Sequence, residues 1–174
     1  MDRKIKTFKT LDKIPGPVGF LRVWGKRKDG LIKQFNSGQN VILDIYRENL
    51  ASFAVDIEVN SYAESIIPEN ILFDNQGSEK LEDETENILT PEPEDRIDED
   101  DENFYEHEIS SKGIGEENNI ITCTTKIELS EANGLTFSRA MLTAMDDEPI
   151  ALKCFEAIDK KSTWELFFDW SIAY

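Results

Sequence analysis

The chain of 174 residues carries 36 Asp and Glu against 19 Lys and Arg, a net charge of −17, with 39% apolar and 32% charged residues. That length fits one domain, and ten Phe, four Tyr and three Trp exclude wholesale disorder, because disordered chains are poor in aromatics. No apolar run approaches the roughly 20 residues of a membrane-spanning helix, and no apolar stretch follows the basic N-terminus, so neither a membrane span nor a secretory leader is expected.

In chain order, residues 1–33 hold ten Lys/Arg against three Asp/Glu. Arg3, Lys4, Lys6, Lys9 and Lys13 come first, and Lys26, Arg27 and Lys28 follow. This basic head is read as a surface that docks on acidic protein, such as the middle of a neighbouring copy. The alternatives are a solvated tail and a nucleic-acid arm, the latter opposed by the repulsion of a −17 chain from phosphates. The breaker Ile14-Pro15-Gly16-Pro17 sets residues 1–17 apart as an arm ahead of a single domain, 18–174.

Val18 to Trp24 and Leu31 to Phe35 have the character of two short strands, and Asp29-Gly30 between them is a hairpin signal. Next, Asn40 is placed to cap a helix over 41–53, whose apolar stripe of Ile42, Ile45, Tyr46, Leu50 and Phe53 faces the core. Residues 79–117 then hold seventeen acidic residues against three basic ones. Their mutual repulsion, with Pro91 and Pro93, predicts an exposed loop interrupting the domain at about 76–118. Calcium binding by these carboxylates lacks the glycine turn of a DxDxDG loop.

Beyond the acidic stretch the pattern has period two. Ile121 to Leu129 alternates, Leu135 to Met145 and Ala151 to Phe155 supply two more strands, and Asp146 to Pro149 is a turn between them. In the last segment Trp164, Leu166, Phe168, Trp170, Ile172 and Tyr174 project to one side, with Glu165, Asp169 and Ser171 on the other. A strand this apolar must be covered, either inside the sheet or by a neighbouring subunit. The expected fold is mainly β (α+β): an antiparallel β-sandwich with one amphipathic helix and a long acidic insertion.

Cys123 and Cys154 match no metal spacing and read as buried small hydrophobes in a reducing compartment. His107 is the only histidine and sits in the acidic stretch. No phosphate-binding glycine loop, HExxH, GxSxG or EF-hand pattern occurs, so no catalytic residue, cofactor or metal is expected and the chain is not read as an enzyme.

Three blocks carry a resemblance: Phe137 to Asp146 (FSRAMLTAMD), Ile150 to Lys160 (IALKCFEAIDK), and Asp169 to Ile172 (DWSI) closing the terminal strand. Together with Asn40-Val41-Ile42 and Leu50-Ala51 upstream, they resemble small bacteriophage virion proteins of the tail and baseplate. In those, "I-x-E-A-G-L-F" precedes "L-x-A-R-x-x-F-x-x-I-x-K" and a closing "W-x-I". Here Ser138-Arg139 stands where Glu is usual, Met141-Leu142 replaces Gly-Leu-Phe and Lys153 stands for Arg. The resemblance implies a structural component of the particle, in tail, baseplate or neck, assembled in the host cytoplasm. Its partners would be copies of itself, as a homo-oligomer, and other virion proteins, without nucleic acid or membrane. The competing reading is an acidic inhibitor whose 79–117 segment imitates nucleic-acid phosphates.

Overall fold

The computed structural model describes residues 17–55, 66–83, 85–114 and 120–173, leaving aside the side chains of 51–55 and of Asp146. The first two strands, β1 (Val18–Arg27) and β2 (Ile32–Ile42), form the hairpin expected from Asp29-Gly30. Gly30 adopts φ +89°, a left-handed conformation that costs glycine little. Asp29 Oδ1 accepts from the Leu31 amide at 3.2 Å and its carboxylate pairs with Arg27, which closes the turn.

The chain continues through α1 (Asp44–Val55), β3 (Asn70–Asp74), β4 (Ser78–Lys80), β5 (Glu86–Ile88), β6 (Tyr105–Glu108) and β7 (Ser111–Ile114). It ends with β8 (Ile120–Ile127), β9 (Thr136–Thr143), β10 (Pro149–Asp159) and β11 (Trp164–Ala173). Nine strands make one antiparallel sheet in the order β6-β3-β9-β10-β2-β1-β11-β8-β7, and β4 and β5 form a separate hairpin.

The mainly β, antiparallel class expected from the sequence is found, but the sheet is one curled half-barrel rather than two separate layers. The reason lies in β2. Its stretch Ile32 to Asn40 pairs with β1, and its last two residues, Val41 and Ile42, pair with Leu152 and Ala151 of β10. One strand thus carries the chain around the corner and joins two limbs, β7-β8-β11-β1 and β10-β9-β3-β6.

The same corner moves the helix start. Asn40 is not an N-cap: it lies buried within β2, and α1 begins four residues later with Asp44 in its first turn. β-branched Val41 and Ile42 favour a pleated backbone, and the Leu43 amide donates to the Ile150 carbonyl at 3.0 Å, so the sheet holds the chain until Leu43.

The two limbs face each other across the main core. Phe73 of the second limb meets Phe168 of the first at 4.6 Å between ring centroids, and Phe137 at 4.9 Å. Leu166, Phe168, Trp170 and Ile172 are buried there, Ile42 joins them from the corner, and Leu50 and Trp164 pack at the margin. Ile45 is half-buried, while the side chain of Phe53 and residue Tyr174 lie outside the described residues. The strand β11 is interior, flanked by β1 and β8.

A second, smaller core lies on the outer face of the second limb. Leu72, Met141 and Leu152 there are covered by Ile97 and Phe104, both from the acidic stretch. Residues 76–118 therefore do more than loop out. They contribute the β4–β5 hairpin, both edge strands of the sheet (β6 and β7), and a cover for one limb. Ile97 and Phe104 seat the stretch on this limb, Tyr105 and Ile109 pack against the main core, and most of its described carboxylates remain in solvent.

Candidate functional site: the open face of the first limb

With the outer face of the second limb covered, the first limb presents its outer face to solvent. Strand alternation puts Phe20, Arg22 and Trp24 of β1 on that face, because Gly19, Leu21 and Val23 point into the core. The β1–β11 register sets Arg22 opposite Asp169, Trp24 opposite Phe167 and Lys26 opposite Glu165. The β11–β8 register adds Thr124 beside Asp169 and Lys126 beside Phe167.

These rows are chemically fitted. Trp24 and Phe167 stack at 4.0 Å with rings 6° from parallel. Asp169 Oδ2 accepts from Arg22 Nη2 at 2.6 Å, Arg22 Nε at 3.1 Å and Trp24 Nε1 at 2.7 Å, while Oδ1 accepts from the Thr124 hydroxyl at 2.9 Å. Lys126 Nζ bridges Glu128 at 2.7 Å and Glu165 at 2.8 Å. Those bonds raise the Lys126 ammonium, and the bond from Lys126 lowers the Glu165 carboxyl. Both groups are solvated, so the network chiefly holds side chains in place.

Around this frame Phe20, Ile32 and Leu31 stand exposed, Ile32 at 63%. Arg22, Trp24, Ile32 and Gln34 border a shallow depression of about 280 Å³. An aromatic stack pinned by charged neighbours and ringed by exposed apolar residues suits contact with another protein surface, where Trp and Arg are enriched among the residues that carry binding energy.

Of the interaction residues singled out from sequence, Lys26 lies on this face opposite Glu165, and Arg27 sits beside Asp29 with its guanidinium 6.0 Å from the Trp164 ring. Lys28 lies in the hairpin turn, its amide bonded to the Thr163 carbonyl at 3.2 Å. Arg3, Lys4, Lys6, Lys9 and Lys13 lie outside the described residues. The Trp24–Phe167 pairing was out of reach of the sequence, since β1 and β11 are far apart in the chain and only register joins them.

Two further polar groupings serve the frame. Asp74 is fully buried and accepts from Arg139 Nε at 2.9 Å, from Arg139 Nη2, and from the amides of Gln76 at 3.1 Å and Asp98 at 2.9 Å. A signal for this existed, an Arg inside the apolar run 137–142, because a buried Arg needs a partner. At the other end His107 Nε2 lies 3.5 Å from Glu131, and Lys160 is buried with Nζ 3.2 Å from Asn133 Oδ1. Burial lowers the Lys160 ammonium and raises Tyr105 nearby.

No grouping of three or more potential metal ligands occurs among the described residues, and no helix among them is long and apolar enough to cross a membrane. Comparison of the chain with family models, with curated proteins and with solved structures gives no match.

Proposed function

We propose that this chain is a structural component of a bacteriophage particle, in the tail, baseplate or neck, working by repeated association with its own copies and other virion proteins. The observation that carries the reading is the asymmetry of the two limbs. One outer face is sealed by the chain's own acidic stretch, and the other offers Trp24, Phe167 and Phe20 on a fixed frame of ion pairs. A scaffold that builds by contact needs such a rigid, open, aromatic face. The three blocks that resemble virion proteins supply β9, β10 and the end of β11, which form the wall behind that face and its facing limb. In this reading the curled sheet acts as a β-sandwich would, its limbs enclosing one core.

Light scattering after size exclusion, over a range of concentration and at two salt levels, tests it. Self-association is expected, and Trp24→Ser should abolish it while leaving the circular dichroism unchanged. A chain that stays monomeric throughout, or an oligomer indifferent to Trp24→Ser, overturns the reading. The inhibitor alternative draws on the turns that hold Asp98 and Asp101 in place, and it predicts instead that the chain displaces DNA from a basic protein.

A further inference from the structure

Lys160, just past the end of β10, is 1% exposed, and its partners differ in kind from those of the buried Arg139. Arg139 lies against the Asp74 carboxylate, whereas Lys160 makes no ion pair among the described residues. Its Nζ donates to two neutral oxygens, Asn133 Oδ1 at 3.2 Å and the Lys161 carbonyl at 3.4 Å. A buried ammonium with neutral acceptors is costly, and burial favours the free amine, the direction found for Lys160. A desolvated lysine amine is a nucleophile.

The backbone holds that amine on Asn133. The Lys160 amide donates to the Leu135 carbonyl at 2.9 Å, and the Gly134 amide donates to the Lys160 carbonyl at 3.0 Å. The turn between β8 and β9 is thereby clamped to the end of β10. Inside it Ala132 adopts φ +51°, a left-handed conformation that strains a residue with a Cβ and persists only where the surroundings impose it. Asn133 Nδ2 donates to the Leu129 carbonyl at 3.0 Å, which keeps Oδ1 on the amine side. A C=O bond adds about 1.2 Å, so Asn133 Cγ lies no more than about 4.4 Å from Nζ. Glu131 supplies a carboxylate two residues earlier, fixed by the Glu128 amide at 2.7 Å, and its charge reaches Lys160.

We infer that Lys160 and Asn133 join in an isopeptide bond, a covalent cross-link between the end of β10 and the β8–β9 turn. The uncharged Nζ adds to Asn133 Cγ, Glu131 carries a proton from the attacking nitrogen to the departing one, the Cγ–Nδ2 bond breaks, and ammonia leaves. One C–N bond replaces another, no electrons are gained or lost, and no further reactant enters. Asn133 is exposed, so ammonia departs to solvent while the amine attacks from the buried side. The competing fate of an Asn-Gly pair is ring closure by the glycine nitrogen. Here that nitrogen's proton is held by the Lys160 carbonyl. The cross-link closes a ring that contains β9 and β10, and it acts chiefly by restricting the unfolded chain.

Intact mass of the purified full chain tests the bond. The expected mass is below that of the sequence by one ammonia, about 17 Da. Trypsin should then yield residues 127–139 joined to residues 154–161. Asn133→Asp should lose one water instead, and Lys160→Arg should keep its full mass. Because Asn133 is exposed, Asn133→Ala should fold with unchanged circular dichroism, keep its full mass and unfold at a lower urea concentration than the native chain. Glu131→Gln should link about 100-fold more slowly, followed by mass after synthesis. A folded native chain at full sequence mass overturns the bond. So does the same mass loss carried by an unjoined 127–139 peptide that hydroxylamine cuts between Asn133 and Gly134, the mark of ring closure. Linkage of Glu131→Gln at the native rate overturns the proton-carrying role.

Discussion

Gly77 is where the acidic stretch leaves the sheet closest to β9. A Cβ there would lie 2.0 Å from the Ser138 carbonyl oxygen, a backbone atom that cannot turn aside. Gly77→Ala should therefore destabilise by about 1–3 kcal/mol or more, as overpacking does, with a lowered urea midpoint as the readout. Gly19 is also tight, but its clash at 1.8 Å is with the Asn40 side chain, which can be shortened. The pair Gly19→Ala with Asn40→Ala should recover part of what Gly19→Ala alone loses. The thiols give a prediction in pH. Burial pushes Cys123 and Cys154 up to about 11, above the 9.0 of an open thiol. Their folded values are raised, so their contribution to stability is complete below about pH 9 and drains away as pH climbs toward 11, by on the order of 1 kcal/mol per thiol per pH unit. Urea midpoints of the chain and of Cys123→Ala/Cys154→Ala, measured from pH 8 to 11, should diverge, with the variant falling less steeply.

At the scale of elements, the period-two pattern of β11 and the Asp29-Gly30 turn read correctly because each is local: alternation and turn chemistry need no partner strand. The helix start failed for the opposite reason. Val41 and Ile42 sit at helical spacing from Ile45 and Leu50, yet pairing with Leu152 and Ala151 holds them in the sheet. β9 falls inside the strand read over Leu135 to Met145, but which side it buries was not legible, since residues Phe137 to Thr143 are all buried and a strand covered on both faces has no alternation to read. On β1 and β11 the Trp24–Phe167 stack should show a coupling of about 0.5–1.5 kcal/mol in a double-mutant cycle with Trp24→Ala and Phe167→Ala. A cycle with no coupling would mean that the rings merely lie near each other.

For the molecule as a whole, the acidic stretch is tied down at Asp74. Arg139→Ala strands a buried carboxylate and should cost about 3–5 kcal/mol. Replacing both partners by Leu should not restore stability, because Asp74 also accepts the amides of Gln76 and Asp98. The accompanying change is in proteolysis: residues 89–104, seated by Ile97 and Phe104, should resist cleavage in the native chain and become the first cut in Arg139→Ala. Early cleavage there in the native chain would show that these anchors do not hold.

What the amino-acid order determined by itself was the strand periods, the tight turn, the apolar side of β11, and the division into a basic head and an acidic middle, all properties of neighbours along the chain. The tertiary structure alone decided which strands meet. It set Trp24 on Phe167, wrapped part of the acidic stretch over one limb, buried Asp74 against Arg139, and left β2 and β10 parted. Each of these joins residues distant in sequence through strand register, and register is an outcome of packing the whole core at once.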